Sequence, residues 1–207
     1  MDKQVDKTHY QFERYGQFIG RWVSYFHQVR IVTSLKARRV LEVGVGDKVL
    51  QNYLLSNTKI EYVGVDIDPD LNPDIVADVL SLPFADGEFE IVCAFEVLEH
   101  LPFSKFETAL QELQRVSSKY VVLSLPHFGP PVKLSFKVPF LPEVKLAWKI
   151  PWPRQHVFNG QHYWEIGKRG YGAGKIKKIL SRFFAVQEDF IPFENQYHHF
   201  YILRKRQ

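Results

Sequence analysis

The residues best placed to do chemistry lie in one short run, Val40 to Lys48, which reads Val-Leu-Glu-Val-Gly-Val-Gly-Asp-Lys. An apolar strand leads straight into a turn containing Gly44 and Gly46, and glycine lets backbone turn tightly and approach a ligand closely. A second apolar run, Tyr62-Val63-Gly64-Val65, ends on the carboxylate Asp66. A dinucleotide fingerprint needs a third glycine, but position 49 is Val49. A phosphate loop needs a Gly-Lys-Ser/Thr ending, which is absent. Charge discriminates further. Glu42, Asp47, Asp66, Asp68, Asp78 and Glu96 all fall at or near predicted strand ends. Pyrophosphate would face these groups unpaired, at a cost on the order of several kcal/mol per contact at about 4 Å. A ligand carrying a sulfonium and an ammonium would be attracted. One acid at the end of the second strand suits ribose hydroxyls in either case.

These residues need elements to position them. Tyr10 to Thr33 carries Phe12, Tyr15, Phe18, Ile19, Trp22, Phe26 and Val29 at helical spacing, weakened by Gly16 and Gly20. The pattern predicts one bent helix or two short ones. Strands are predicted over 39–45, 60–67, 74–79, 89–95 and 120–125, with helices between, the first over 48–55. Pro69 suits the first position of a short helix. Ser104 with Glu107 reads as a capping box opening a helix that runs to about Val116. After a basic helix over 175–182, the runs 183–193 and 196–204 read as a closing hairpin. Strand–helix alternation at this spacing predicts an α/β fold, a mostly parallel seven-stranded sheet with helices on both faces and a C-terminal antiparallel hairpin. Ligands then bind beyond the strand C-termini.

Four of the runs, in order, resemble the motifs of the class I S-adenosylmethionine-dependent methyltransferases, in particular the small type 11 group. They are Leu41 to Gly46, Gly64 to Asp66, Ala77 to Phe84, and Phe89 through Glu96-Val97-Leu98-Glu99-His100. The resemblance implies a Rossmann-like fold and S-adenosylmethionine as cofactor. It implies that Gly44, Val45 and Gly46 line the methionine portion and that Glu42 orients the amino group. Asp66 would hold the ribose, with Ile67 against the adenine. Asp78 and the Val79 amide would meet the adenine edge, and Phe95 and Glu96 would lie beside the methionine tail. Asp47-Lys48 departs from the family, where many members have another glycine.

A sulfonium is already an activated leaving group, so the protein must align an acceptor and exclude water. A base is needed only if the acceptor atom carries a proton. His100 and His127, each following a strand at the expected edge, are the candidate catalytic residues, with the Glu96 carboxylate beside them. His156 and His162, six apart with no cysteine nearby, make a poor metal motif, and no metal is expected.

The 207 residues suit one methyltransferase domain, with residues 1–36 as an N-terminal helical lid and 127–170 as an inserted basic-aromatic substrate flap. The charge is lopsided. Leu41 to Glu112 holds fifteen acids and three lysines, whereas Phe128 to Arg182 holds eleven basic residues and two acids. Within the flap, Lys133, Lys137, Lys145 and Lys149 alternate with Leu134, Phe136, Val138, Leu146 and Trp148, while Pro139 and Pro142 forbid one continuous helix. Such a flap suits a small acceptor, apolar or anionic, and peripheral contact with an anionic membrane or with RNA. Trp164 and His162 would wall the acceptor pocket. Methylation of RNA or protein, and a cofactor-binding scaffold without transfer, are the rival functions. Cys93, alone in an apolar run, excludes an internal disulfide. The start of the chain is too polar for a secretory signal, and a cytoplasmic protein is expected.

Overall fold

A computed structural model describes residues 7–206. Five strands run parallel: β1 (Arg39–Val43), β2 (Glu61–Asp66), β3 (Ile75–Val76), β4 (Phe89–Phe95) and β5 (Ser117–Pro126). A separate hairpin follows, β6 (Pro131–Phe136) with β7 (Val144–Lys149). The closing pair, β8 (Phe184–Phe190) and β9 (His198–Lys205), joins the main sheet antiparallel, giving the order β3-β2-β1-β4-β5-β9-β8. The seven-stranded sheet is the one expected. Its order switches direction at β1, with β2 on one side and β4 on the other, and such a switch opens a crevice at the strand C-termini.

Helices cover both faces. On one, α3 (Phe106–Val116) and α4 (Ala173–Phe183) lay Phe106, Leu110, Leu113, Ile176 and Leu180 over Leu41, Val43, Val92, Val121, Leu123 and Tyr201. On the other, α1 (Ile19–Ser34) and α2 (Val49–Asn57) cover Val40, Ile91, Cys93, Val122, Phe200 and Ile202 through Ile31, Val32, Leu50 and Leu54. The two-residue period of a strand sorts these sets. It puts Glu42 on the α1–α2 face beside Val40, and His198 on the same face as Phe200. The Cys93 thiol is fully buried, and burial raises its pKa well above the ordinary value.

Three local expectations change. The N-terminal helical pattern breaks at Gln17–Phe18, before α1, leaving short turns over Lys7–Tyr10 and Phe12–Gly16. In addition, the face α1 buries is Ser24, Tyr25, Gln28, Ile31 and Val32, while Phe18, Trp22 and Phe26 are exposed. Polar partners at the strand ends draw the polar side inward. Ser104 does not cap α3. A 3-10 turn over Phe103–Lys105 runs directly into it, and Lys105 holds the N-cap position without a side-chain bond. Residues 1–6 of the expected lid lie outside the described residues.

Trp164, from the expected flap, is fully buried and packs edge-on against Phe103 and Phe106 at 5.1 and 4.8 Å. It belongs to the core beneath α3, not to a pocket wall. Phe106 is also fully buried. Phe106→Ala should therefore cost about 3–5 kcal/mol of stability, read from urea unfolding. A loss under about 1 kcal/mol would mean that this aromatic cluster does not fix α3 on the sheet.

Candidate functional site

The turn after β1 is built around Asp66. Its carboxylate accepts from the Val45 amide and from the Asp68 amide, both at 2.9 Å, and so clamps the glycine loop to the end of β2. Gly44 sits at φ 85°, and a Cβ there would fall 2.4 Å from Val97 Cγ2. A side chain there would be strained by the positive φ and would have to displace the Val97 side chain. α2 (Val49–Asn57) starts soon afterwards, and its first residues, Val49 and Leu50, line the crevice.

Above the loop is a cavity of about 400 Å³. Its floor and one wall are Glu42, Gly44, Val45, Gly46, Asp47, Asp66, Ile67, Asp68 and Leu71; Phe95, Glu96, Val97, Glu99 and His100 come from β4 and the turn after it. The N-terminal segment and α1 contribute His9, Tyr10, Arg14, Phe18, Arg21 and Tyr25. Gln161 and His162 enter from the long connection, and Tyr197 and His198 from the start of β9. Eight of the expected cofactor residues are thus gathered: Glu42, Gly44, Val45, Gly46, Asp66, Ile67, Phe95 and Glu96. Asp78 and Val79 stand outside the lining. The Asp78 carboxylate accepts from the Leu80 amide at 2.9 Å, and Val79 is buried in the core.

The carboxylates are held under electrostatic tension. Glu42 is buried and accepts a 2.5 Å bond from the Tyr62 hydroxyl. Burial, with Asp47 and Asp66 nearby, pushes its pKa up to about 8 despite that bond. Asp47 is bonded by the Tyr25 hydroxyl of α1, and burial raises it too. Glu96 has a left-handed backbone, φ 55°, unusual for a side chain of its size and of the kind stored at functional sites. Burial raises its pKa to about 7. Its Oε2 lies 3.4 Å from His198 Nε2, while His198 Nδ1 lies 2.7 Å from Ser24 Oγ, itself bonded by Asn195. This relay explains why α1 buries Ser24.

The two candidate histidines separate. His100 lines the cavity, and burial together with His162 lowers its pKa to about 4. His127 is absent from this lining. It lies in a neighbouring groove of about 740 Å³, stacked on His199, and burial with Lys149 lowers it to about 3. Both are neutral at pH 7. His162, expected as a pocket wall, lines this cavity, whereas Tyr197, His198, Arg21 and Glu99 were not singled out as site residues by the sequence. The antiparallel placement of β9 against β5 brings Tyr197 and His198 to this edge, the return of the chain near residue 161 brings His162, α1 brings Arg21, and Glu99 comes from the 3-10 turn after β4.

Residues 41–123 match the model of a family described as a methyltransferase domain. No curated protein sequence matches the chain. Among solved structures, magnesium protoporphyrin IX methyltransferase from Synechocystis with bound SAH is 14% identical, with TM-score 0.64, covering 100% of this chain and 90% of that one. A 1,6-didemethyltoxoflavin-N1-methyltransferase from Burkholderia thailandensis is 15% identical, with TM-score 0.58, covering 100% and 94%. The N-methyltransferase NodS from Bradyrhizobium japonicum is 12% identical, with TM-score 0.60, covering 91% and 88%. These likenesses show the fold, a Rossmann-like α/β sheet.

A carboxyl whose pKa is raised on folding stabilises the fold below its unfolded pKa, and that contribution is lost as pH rises through the folded value. For Glu42 the window runs from 4.5 to about 8. The melting temperature of the wild type should therefore fall more steeply between about pH 5 and about pH 9 than that of Glu42→Gln. Equal slopes in a thermal melt series would contradict the burial argument.

Proposed function

We propose that this chain, whose residues 41–123 match a methyltransferase-domain model, binds S-adenosylmethionine in the cavity at the strand ends and methylates a small acceptor, apolar or anionic. The observation that carries this reading is the cavity itself: a glycine loop floor surrounded by Glu42, Asp47, Asp66, Asp68 and Glu96. Such a wall offers phosphates only repulsion or protonated acids, whereas an entering cation stabilises the ionised carboxylates. Bound there, S-adenosylmethionine supplies a methyl carbon whose bond to sulfur breaks as the acceptor lone pair bonds to it, leaving a neutral thioether.

The residues divide the work. Gly44, Val45 and Gly46 give backbone close to the donor, and a side chain at 44 would block the turn. Glu42 and Glu96 face the ammonium end, on the α1 side of β1 and β4. Asp66 serves the ribose while clamping the loop, and Ile67, Asp68 and Leu71 take the adenine end, because Asp78 and Val79 lie outside the lining. His9, Tyr10, Arg14 and Phe18 act as a lid that excludes water. Arg14 and Arg21 supply the positive charge an anionic acceptor would meet. If the acceptor atom carries a proton, His100 is the candidate base within the cavity, whereas His127 would serve from the adjoining groove, which shares Tyr197 with it.

Gly44→Val and Asp66→Ala should each weaken S-adenosylmethionine binding by about 100-fold in calorimetry, with the circular dichroism spectrum unchanged. Unchanged affinity in both, or firm binding of NAD or ATP in the same crevice, rejects the reading. Cofactor binding with no transfer to any small acceptor would leave a scaffold.

The hairpin β6–β7 supports contact with a lipid surface. Its register stacks Val132 on Trp148, Leu134 on Leu146 and Phe136 on Val144 along one face. Five of these are exposed, as are Val138, Phe140 and Leu141 at the tip, where Phe140 is fully exposed. Lys133, Lys145 and Lys149 project from the other face and bond Phe193 O, Glu194 and His127 O of the body. Tethered through its cations, the ribbon turns its apolar face outward, opposite to the arrangement a water-exposed hairpin prefers. The chain should float with phosphatidylserine-containing vesicles, and Phe140→Asp with Trp148→Asp should reduce the bound fraction at least ~10-fold. No flotation by the wild type, or RNA binding that weakens steeply with salt, would refute the membrane contact.

A further inference from the structure

One buried cluster is left over by cofactor binding. Glu99 is fully buried, and neither of its carboxylate oxygens has a hydrogen-bond partner among the described residues. An unpaired carboxyl in the interior is costly, and buried acids are normally bonded, paired or bound to a metal. Near it, Glu99, His100 and His162 each offer one ligand atom, all within 4.8 Å of one another. Glu99 and His100 come from the 3-10 turn after β4, and His162 from the far end of the connection that returns over it.

His100 Nδ1 lies 3.1 Å from the Gln161 carbonyl. His162 Nδ1 lies 3.0 Å from Glu165 Oε1, and Glu165 also accepts from the Tyr197 hydroxyl at 3.0 Å. A carboxylate or carbonyl on the outer nitrogen is the usual support of a metal-bound imidazole, fixing its tautomer and aim. Glu96 and Glu165 add negative charge around Glu99, with Arg21 as the cation acting on it from α1. His156, the histidine that sequence spacing pairs with His162, bonds the His162 carbonyl through Nε2 at 2.8 Å and is not part of the set.

We propose that Glu99, His100 and His162 bind a divalent metal ion at the edge of the donor cavity. Two imidazoles and one carboxylate favour zinc, manganese or iron over magnesium and calcium. Both histidines line the donor cavity, so the ion sits where an acceptor enters; with it bound, His100 would be a ligand rather than a base, and the ion itself would lower the pKa of a coordinated hydroxyl. Resting on the methyl-transfer reading above, this assigns the acceptor an oxygen-bearing group, a hydroxyl or carboxylate, that the ion holds beside the methyl donor. Glu165 is a positioning residue that acts through His162.

The test is metal binding by the full chain, separate from turnover. After chelation and dialysis, calorimetry with Zn²⁺ and electron paramagnetic resonance with Mn²⁺ should each report one saturable ion per chain. Glu99→Gln and His162→Ala should lower affinity at least ~100-fold, and Glu165→Gln by ~10–100-fold, with circular dichroism reporting the fold. Glu99→Gln fills the same volume without charge, so it serves should His162→Ala fail to fold. Absence of a saturable site, or equal affinity in Glu99→Gln and wild type, overturns the proposal. S-adenosylmethionine affinity measured in parallel separates the two readings. Ion binding without donor binding rejects the methyl-transfer function alone, and donor binding without ion binding rejects the metal alone.

Discussion

The site rests on one carboxylate. Asp66, at the end of β2, receives the amides of Val45 and Asp68. Through those two bonds the loop after β1 takes its path, the chain after β2 turns away, and the floor between them stays open. The glycine at 44 makes that path sterically possible, because Val97 occupies the space a Cβ would need. Loop, clamp and the turn after β4 therefore form one unit, in which a change at any member moves the others.

That unit gathers acids where burial penalises their charge. Glu42, Asp47, Asp66 and Glu96 are all raised, chiefly by desolvation. The protein offsets this partly with hydroxyl donors, Tyr62 on Glu42 and Tyr25 on Asp47, and partly through His198 on Glu96. Two of these supports depend on α1, which presents Tyr25 and Ser24 inward and leaves Trp22 and Phe26 in solvent. Satisfying buried polar groups outweighs the usual preference for an apolar helix face against the sheet. A cation brought into the cavity would relieve the remaining repulsion, so binding and the stability of the protonated acids are linked.

The long connection between β5 and α4 does two jobs with opposite chemistry. Its later part, from Gln161 to Ile166, returns to the body, burying Trp164 and Glu165 and bringing His162 to the cavity. Its earlier part leaves the body as the β6–β7 ribbon, apolar side outward. In sequence the two parts look alike, both rich in aromatics and basic residues, since composition carries no record of which face of a ribbon meets the body.

What the sequence determined by itself is what local physics dictates. Strand periodicity and glycine spacing located β1, β2, β4 and the loop, and the run of acids at strand ends set the charge of the crevice. Eight of the ten expected cofactor residues consequently line one cavity. Tertiary structure decided whatever depends on register and on chain return: that Asp78 and Val79 fall outside that lining, that His127 faces a different groove, and that His198 meets Ser24 across 174 positions. Glu99, His100 and His162 likewise meet only when a segment some 60 residues downstream folds back, His100 bonding the Gln161 carbonyl 61 positions away. Contacts of that separation are fixed by packing of the whole sheet and its helices, and no local pattern encodes them.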